Sequence, residues 1–345
     1  MKKEIRVLVV DDTPFKREIV TSMLQSAGDI RVIGTASDGL DAVKKTKLYS
    51  PDVITMDIKM PNMDGYEAIG QIMSKNPTPI IIVSVTVREH AKFVFKCLGL
   101  GALDFVPVMP DMEKMREEII GKVRLASKIP VVTHPGRIKG KAQALPDMKK
   151  QIKAKTARGG YAVVAIAVST GGPEALKQIL SKLPKSFPVP VLIVQHISEG
   201  FVRGLADWLK DYCRVNIKVA AGGMKINPGT VYFAPSGQHM EVTSGGCIKL
   251  ISNKMGYLNC PSADVTLKSA VKSYGSRVIG VILTGMGDDG VEGIGVIKEK
   301  GGFTIAQDEN SSIIYGMPRV ASEKGYISNV TALEKIPDLL IWMTS

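Results

Sequence analysis

Short apolar runs alternate with segments of helical period in the first part of the chain, and no other feature constrains the fold as strongly. The runs are IRVLVV, IRVIGTA, DVITMD, PIIIVS and ALDFV. Each run has the length of a strand, and the segments between them have helical period. Five strand–helix units of this kind predict an α/β fold with a five-stranded, doubly wound parallel sheet. In such a sheet the ligand site lies at the carboxyl ends of the strands.

Oxygen-bearing side chains stand at those strand ends. Asp11 and Asp12 follow the first run, Asp57 ends the third, and Ser84 and Thr86 end the fourth. Because the carboxyl ends of parallel strands meet at one edge, we expect the three carboxylates to lie close together. Oxygen ligands suit Mg²⁺, and a cation lowers the repulsion among carboxylates. The sequence therefore predicts a magnesium site that works with a phosphoryl group.

Three motifs in this region, VLVVDDTPFKR, DVITMDIKMPNMDGYEAI and GALDFV, resemble the receiver domain of bacterial response regulators. The resemblance implies that Asp57 is the phosphorylated residue and that Asp11 and Asp12 bind Mg²⁺ with it. It also implies that Ser84 is the switch hydroxyl and that Phe105 holds the aromatic switch position.

The chain departs from the receiver pattern just after the fifth strand, where receivers carry Lys followed by Pro. Here Val108 occupies the position of that Lys. Its loss removes a cation that would pair with the acyl phosphate. Lys59, two residues beyond Asp57, is one candidate for the missing charge; the alternative is that Lys59 is only a solvated loop residue.

A second constraint comes from AIAVSTGGP, where an apolar strand gives way to a helix at Ser169. Residues 161–168 are almost all small or β-branched, which is typical of a parallel strand covered on both faces. Gly171 and Gly172 permit a tight turn, and Pro173 suits the first helical position. Ser169 at such a corner can act as a nucleophile, bind a phosphate or cap the helix.

Two later strands supply partners for a nucleophile. VPVLIVQHIS carries His196 at its end, and RVIGVILT is followed by GMGDDG with Asp288 and Asp289. Ser169, His196 and one of these acids at the carboxyl ends of one sheet have the composition of a Ser–His–Asp relay. His239 is the other plausible base, but the strand of His196 directly follows the crossover from Ser169. Spacing does not decide between the two aspartates.

The second half also resembles the catalytic domain of chemotaxis protein-glutamate methylesterases. The similar blocks are AVSTGGPEAL, VQHIS, YFAPSGQHM, PSADV, ILTGMGDDG and TIAQDENSSIIYGMPR. The resemblance implies Ser169 as nucleophile, His196 as base and Asp289 as the orienting acid, because Asp289 directly precedes the Gly of the family's GMGxDG block. The positions of Thr170 and Met286 line the oxyanion site in this family.

The implied reaction is hydrolysis of γ-glutamyl methyl esters on the cytoplasmic helices of chemoreceptors, with release of methanol. Deamidation of specific glutamines is expected at the same site, and no cofactor is expected for the esterase. A chemotaxis histidine kinase is the expected phosphodonor of the receiver. Two other functions remain open: a phosphate- or nucleotide-binding module regulated by the receiver, and an active esterase whose degenerate receiver is only a docking surface.

Charge and composition indicate how the chain divides into domains. The chain has 345 residues and a net charge of +12, but residues 128–158 hold nine Lys or Arg and one acid, Asp147. This segment is predicted to be an exposed linker rather than a nucleic-acid site. We predict a receiver at 1–126, a basic linker at 127–156 and a catalytic domain at 157–345. Four cysteines with neither close nor metal-like spacing favour a reducing cytoplasm, and no apolar run is long enough for membrane insertion.

Overall fold

The computed structural model describes residues 4–85, 91–129, 160–253 and 256–345. The chain divides into two compact units, Met1–Gly140 and Lys141–Ser345. Thr86 and residues 130–156 of the predicted linker lie outside the described residues. No helix in the described ranges is long and apolar enough to cross a membrane.

Strands and helices alternate through the first unit. The strands are β1 Ile5–Val10, β2 Ile30–Ala36, β3 Val53–Met56, β4 Ile80–Val85 and β5 Asp104–Val108. The helices are α1 Pro14–Gln25, α2 Gly39–Tyr49, α3 Gly65–Lys75, α4 Ala91–Gly99 and α5 Met112–Ala126. The five strands pair in parallel in the order β2-β1-β3-β4-β5, which confirms the predicted doubly wound sheet.

The starts of three helices in this unit follow from their sequence. Asp38, Asp64 and Asp111 each precede a helix, and the side chain of each accepts a hydrogen bond from a backbone N–H of the first turn. The sheet order reverses between β1 and β3. A crevice opens at this switch point, and the residues after β1 and β3 line it.

The second unit has nine strands and six helices in its described part. The strands are β6 Val163–Val168, β7 Val191–Gln195, β8 Asn216–Val219, β9 Thr230–Phe233, β10 Gln238–Val242, β11 Ile248–Ser252, β12 Val278–Ile282, β13 Phe303–Gln307 and β14 Asn329–Thr331. The helices are α6 Gly172–Leu180, α7 Phe201–Lys210, α8 Ala263–Tyr274, α9 Val291–Glu299, α10 Met317–Glu323 and α11 Ile336–Thr344.

Seven of these strands form one parallel sheet in the order β14-β13-β12-β6-β7-β9-β8, and β10 and β11 form a separate antiparallel hairpin. All six residues of β6 are buried, as expected for a strand covered on both faces. Right-handed crossovers leave β6 and β12 in opposite directions along the sheet, so α6 and α9 cover opposite faces. The result is the predicted three-layer α/β/α domain. As in the first unit, the order in which strands are added to the sheet reverses, here on the two sides of β6.

Candidate active site

Ser169 follows β6 directly, at the switch point of the seven-stranded sheet. Its N–H donates to the carbonyl oxygen of Thr284 at 3.0 Å. Its own carbonyl oxygen accepts from the N–H of Gly172 at 2.9 Å and from Nε2 of Gln195 at 2.8 Å. Gly171 has a φ of +79°, which glycine adopts without strain. These bonds fix the corner that carries the Ser169 side chain.

His196 and Asp289 meet at this edge of the sheet. The N–H of His196 donates to the carbonyl oxygen of Val168 at 2.9 Å, which continues the ladder between β6 and β7. Nε2 of His196 lies 2.7 Å from Oδ2 of Asp289. Asp288, the alternative acid, is exposed. The structure therefore pairs the imidazole with Asp289.

Asp289 is held at the N-terminus of α8. It accepts from Oγ of Ser262 at 2.7 Å and from the N–H groups of Ala263 at 2.7 Å and Asp264 at 3.2 Å. Burial alone would raise the pKa of Asp289, but the hydrogen bonds from His196 and Ser262 outweigh it, so the pKa lies below its usual value. Asp289 is therefore a carboxylate at neutral pH.

The support for Asp289 is reciprocal. Oδ1 of Asp264, at the start of α8, accepts from the N–H groups of Gly290 at 3.1 Å and Gly293 at 2.6 Å, at the start of α9. Burial raises the pKa of Asp264. The first N–H groups of α8 thus bond to Asp289, which precedes α9. Those of α9 bond to Asp264, which lies in the first turn of α8. The sequence analysis did not single out Ser262 or Asp264, although PSAD before a helical segment is a helix-start signature.

Ser169 and His196 occupy neighbouring positions, one step beyond the register pair Val168 and Gln195. Adjacent strands lie about 4.8 Å apart, so the two backbones are close. Within the described residues, Oγ of Ser169 forms no hydrogen bond with the imidazole.

The loop after β12 packs tightly against Ser169. A Cβ on Gly285 would lie 2.6 Å from the Cβ of Ser169, so only glycine permits this approach. The next residue, Met286, is largely exposed. The hydroxyl of Thr284 donates to the carbonyl oxygen of Thr170 at 3.0 Å. The N–H groups of Thr170 and Met286 donate to no acceptor in the described part of the chain; Thr170 follows Ser169, and Met286 follows the Gly285 that packs against it.

His239, the alternative base, has a different role. It is fully buried; Nδ1 accepts from the N–H of Ser262 at 3.0 Å, and Nε2 lies 3.1 Å from Oδ1 of Asn253. Both ring nitrogens are therefore occupied. His239 fixes the loop that presents Ser262 to Asp289.

The first unit gathers the three predicted carboxylates. One ligand atom from each of Asp11, Asp12 and Asp57 lies within 4.8 Å of the others. Asp11 and Asp57 are buried, whereas Asp12 is exposed. Burial, together with the nearby charge of Asp57, raises the pKa of Asp11 to about 6. A set of three carboxylates fits a hard divalent cation.

Lys16, which was not among the predicted site residues, contacts this cluster. Nζ of Lys16 lies 3.3 Å from Oδ2 of Asp57 and 3.8 Å from Oδ2 of Asp11. Burial alone would lower the pKa of Lys16, but these carboxylates outweigh it and the pKa is raised. Lys59 is exposed and has no ion pair within the described residues. The observed contacts therefore favour Lys16 over Lys59 as a source of positive charge.

The two predicted switch residues lie on the neighbouring strands. Ser84 is half-buried on β4, in register with Pro107. Phe105 is buried on β5, and its ring meets that of Phe95 edge-on at 6.1 Å between centroids. Nζ of Lys122 lies 5.3 Å from the centroid of Phe105.

Both units match known families. The model described as CheB methylesterase matches residues 164–340, and the response regulator receiver domain matches residues 7–120. The chain belongs to the CheB methylesterase family. This membership confirms both resemblances and the predicted enzyme class.

Relatives of this methylesterase-family chain span its full length. A protein from Halalkalibacterium halodurans, named protein-glutamate methylesterase/protein-glutamine glutaminase, is 40% identical over 99% of both chains. A Pyrococcus abyssi protein with the same name is 39% identical over 98% of this chain and 93% of its own. The crystal structure of the Thermotoga maritima CheB methylesterase catalytic domain superposes with a TM-score of 0.51 and 39% identity. It covers 53% of this chain and 98% of that domain.

Proposed function

We propose that this chain hydrolyses γ-glutamyl methyl esters on the cytoplasmic signalling helices of chemoreceptors and releases methanol. It also converts specific glutamines on those helices to glutamates. The reaction takes place in the cytoplasm at Ser169, His196 and Asp289. The observation that carries this proposal is the 2.7 Å pairing of His196 with Asp289 at the strand end beside Ser169.

The protonation states follow from this pairing. Because Asp289 is a carboxylate, Nε2 of His196 carries the proton and donates it to Oδ2. Nδ1 then has a free lone pair, and this nitrogen takes the proton of Ser169 Oγ as general base. Rotation of the Ser169 side chain toward Nδ1 is required, and catalytic hydrogen bonds often tighten only when substrate is bound.

The chemistry proceeds through an acyl-enzyme. Oγ of Ser169 attacks the γ-carbonyl carbon, and the tetrahedral oxyanion is stabilised by the unpaired N–H groups of Thr170 and Met286. As the intermediate collapses, the bond from the γ-carbon to the methoxy oxygen, or to the amide nitrogen of a glutamine, breaks, and the imidazolium of His196 protonates that atom, so that methanol or ammonia leaves. His196 then deprotonates a water that attacks the acyl carbon, and it returns this proton to Oγ of Ser169 as the ester bond to Ser169 breaks.

We assign regulation of the esterase to the first unit. A chemotaxis histidine kinase phosphorylates Asp57, and Asp11, Asp12 and Asp57 would hold Mg²⁺. The fit rests on charge: three carboxylates face one ammonium group, so a divalent cation offsets the remaining negative charge. Mg²⁺ would supply electrostatic shielding between the carboxylates and the incoming phosphoryl group.

Methanol release from methylated receptor membranes tests the proposal. Ser169→Ala should lower the rate by about 10⁴- to 10⁶-fold, because it removes the nucleophile. Membranes bearing unmethylated receptors provide the blank. If Ser169→Ala releases methanol at the wild-type rate, Ser169 caps a helix or binds a phosphate instead, and the relay is wrong.

A further inference from the structure

Lys16 lies beside the carboxylate proposed to receive the phosphoryl group. It is the third residue of α1, and the side chain is one-third exposed. Its Nζ contacts the carboxylates of Asp57 and Asp11. In the ranges that the structure describes, no other cationic side chain forms an ion pair with Asp57.

Two other cations of this unit, Arg17 and Lys122, are engaged elsewhere. Both hydrogen bonds from Nη1 of Arg17 go to the backbone carbonyl oxygens of Asp11 and Asp12, at 2.6 and 3.0 Å. This bonding holds the loop and leaves the Arg17 charge directed at the backbone. Lys122 forms ion pairs with Asp104, the first residue of β5, and with Glu118 on α5. Among the residues that the structure describes, Lys16 is therefore the cation that already contacts Asp57.

The end of β5 supplies no charge. Val108 is a half-buried apolar residue there. A phosphoryl group adds a charge of about −1.5 to −2, which in a pocket of carboxylates requires a paired cation. The four-carbon stem of lysine is flexible, so the ammonium of Lys16 can follow the charge from the carboxylate to the phosphoryl oxygens.

We propose that Lys16 is the phosphoryl-binding cation of this receiver, so that α1 provides the charge that Val108 cannot. This inference rests on the proposed phosphorylation of Asp57. With acetyl phosphate as donor, Oδ2 of Asp57 attacks phosphorus, and the bond from phosphorus to the acetate oxygen breaks. Acetate leaves with the bonding electron pair. Lys16 keeps its protons and pairs with the transferred oxygens.

Radiolabelled acetyl phosphate and Mg²⁺ test this role in the full chain. Lys16→Met should lower the rate of label incorporation by about 10- to 100-fold, the loss expected for a charge-assisted hydrogen bond. Lys59→Met, an exposed lysine on the adjacent loop, is the matched control and should stay within about twofold of wild type. Asp57→Asn gives the blank.

A compensating variant separates loss of charge from misfolding. Adding Val108→Lys to Lys16→Met should restore incorporation, because it returns an ammonium to the other side of the same crevice. A second readout needs no phosphoryl transfer. Beryllofluoride, a phosphoryl mimic, should protect the amides of β3 from hydrogen exchange in wild type and less in Lys16→Met.

Three results would overturn the inference. In the first, Lys16→Met is labelled as fast as wild type and its phosphoryl lifetime is unchanged. In the second, Lys16→Met binds Mg²⁺ more tightly with no loss of label, which means that the ammonium stands in for the metal. In the third, wild type takes no label while methanol release persists. Phosphorylation and this inference then fail together, and the proposed esterase stands.

Discussion

Asp288 and Asp289 are adjacent acids with different surroundings. Asp289 bonds to His196, Ser262 and the start of α8, whereas Asp288 is exposed. We expect Asp289→Asn to lower kcat for methanol release by about 10³- to 10⁴-fold with little change in KM, because an amide cannot stabilise the imidazolium. Asp288→Asn is the matched control and should stay near wild type. Equal losses in both variants would contradict the assignment.

A buried acid in the receiver leads to a pH-dependent prediction. The pKa of Asp11 is about 6 in the folded protein, because the side chain is buried, against 3.8 for an ordinary aspartate. The folded state therefore binds more protons between these values, and stability falls as pH rises through this window. Without metal, Asp11→Asn should be more stable than wild type above pH 6, by about 3 kcal/mol.

This advantage should shrink as the pH falls from 6 toward 4, where Asp11 becomes protonated in both states. Hydrogen exchange of amides in β1 and β3, followed in EDTA, measures the stability of this unit separately. An advantage that stays constant from pH 4 to pH 8 would show that the effect does not come from the charge of Asp11.

Helices α8 and α9 are capped reciprocally: the first N–H groups of each helix donate to an aspartate at the start of the other. Asp264→Ala removes the acceptor for the N–H groups of Gly290 and Gly293. It should destabilise the second unit by about 1–3 kcal/mol, while Asp264→Asn, which keeps an acceptor oxygen, should cost much less. Both tryptophans, Trp208 and Trp342, lie in this unit, so their fluorescence during urea unfolding measures it. Equal losses in the two variants would exclude the capping explanation.

The strands around both sites could be predicted because each is a continuous apolar run. Ser169, His196 and Asp57 follow or end such runs, so their placement at a sheet edge was predictable from parallel topology. The mutual support of Asp264 and Asp289 was not. It joins two helix starts that are distant in sequence. Local periodicity does not indicate which side chain accepts the first N–H groups of a helix far along the chain.

For the whole molecule, phosphorylation is expected to control hydrolysis. Acetyl phosphate should raise the rate of methanol release from receptor membranes in wild type. Asp57→Asn should keep the basal rate and lose the response, because it lacks the carboxylate that accepts the phosphoryl group. The measurement is methanol release by both proteins with and without donor. If neither responds, the receiver serves only as a docking surface.

The order of domains was also predictable, since two sets of motifs occupy separate parts of the chain. The source of positive charge beside Asp57 was not. Val108 indicated that a cation was missing, and Lys59, in the loop after Asp57, was the candidate that the sequence offered. The ammonium of Lys16 comes instead from α1, across the crevice, a pairing that depends on how the helix seats against the sheet.

The crossed bonding of α8 and α9 also bears on biosynthesis. A nascent polypeptide already carries Ser169 and His196 when the segment that forms α9 has not yet emerged. Until both helices are docked, nothing fixes an ionised acid against the imidazole. We therefore expect esterase activity only once the whole domain has folded, and local unfolding of either helix should remove it.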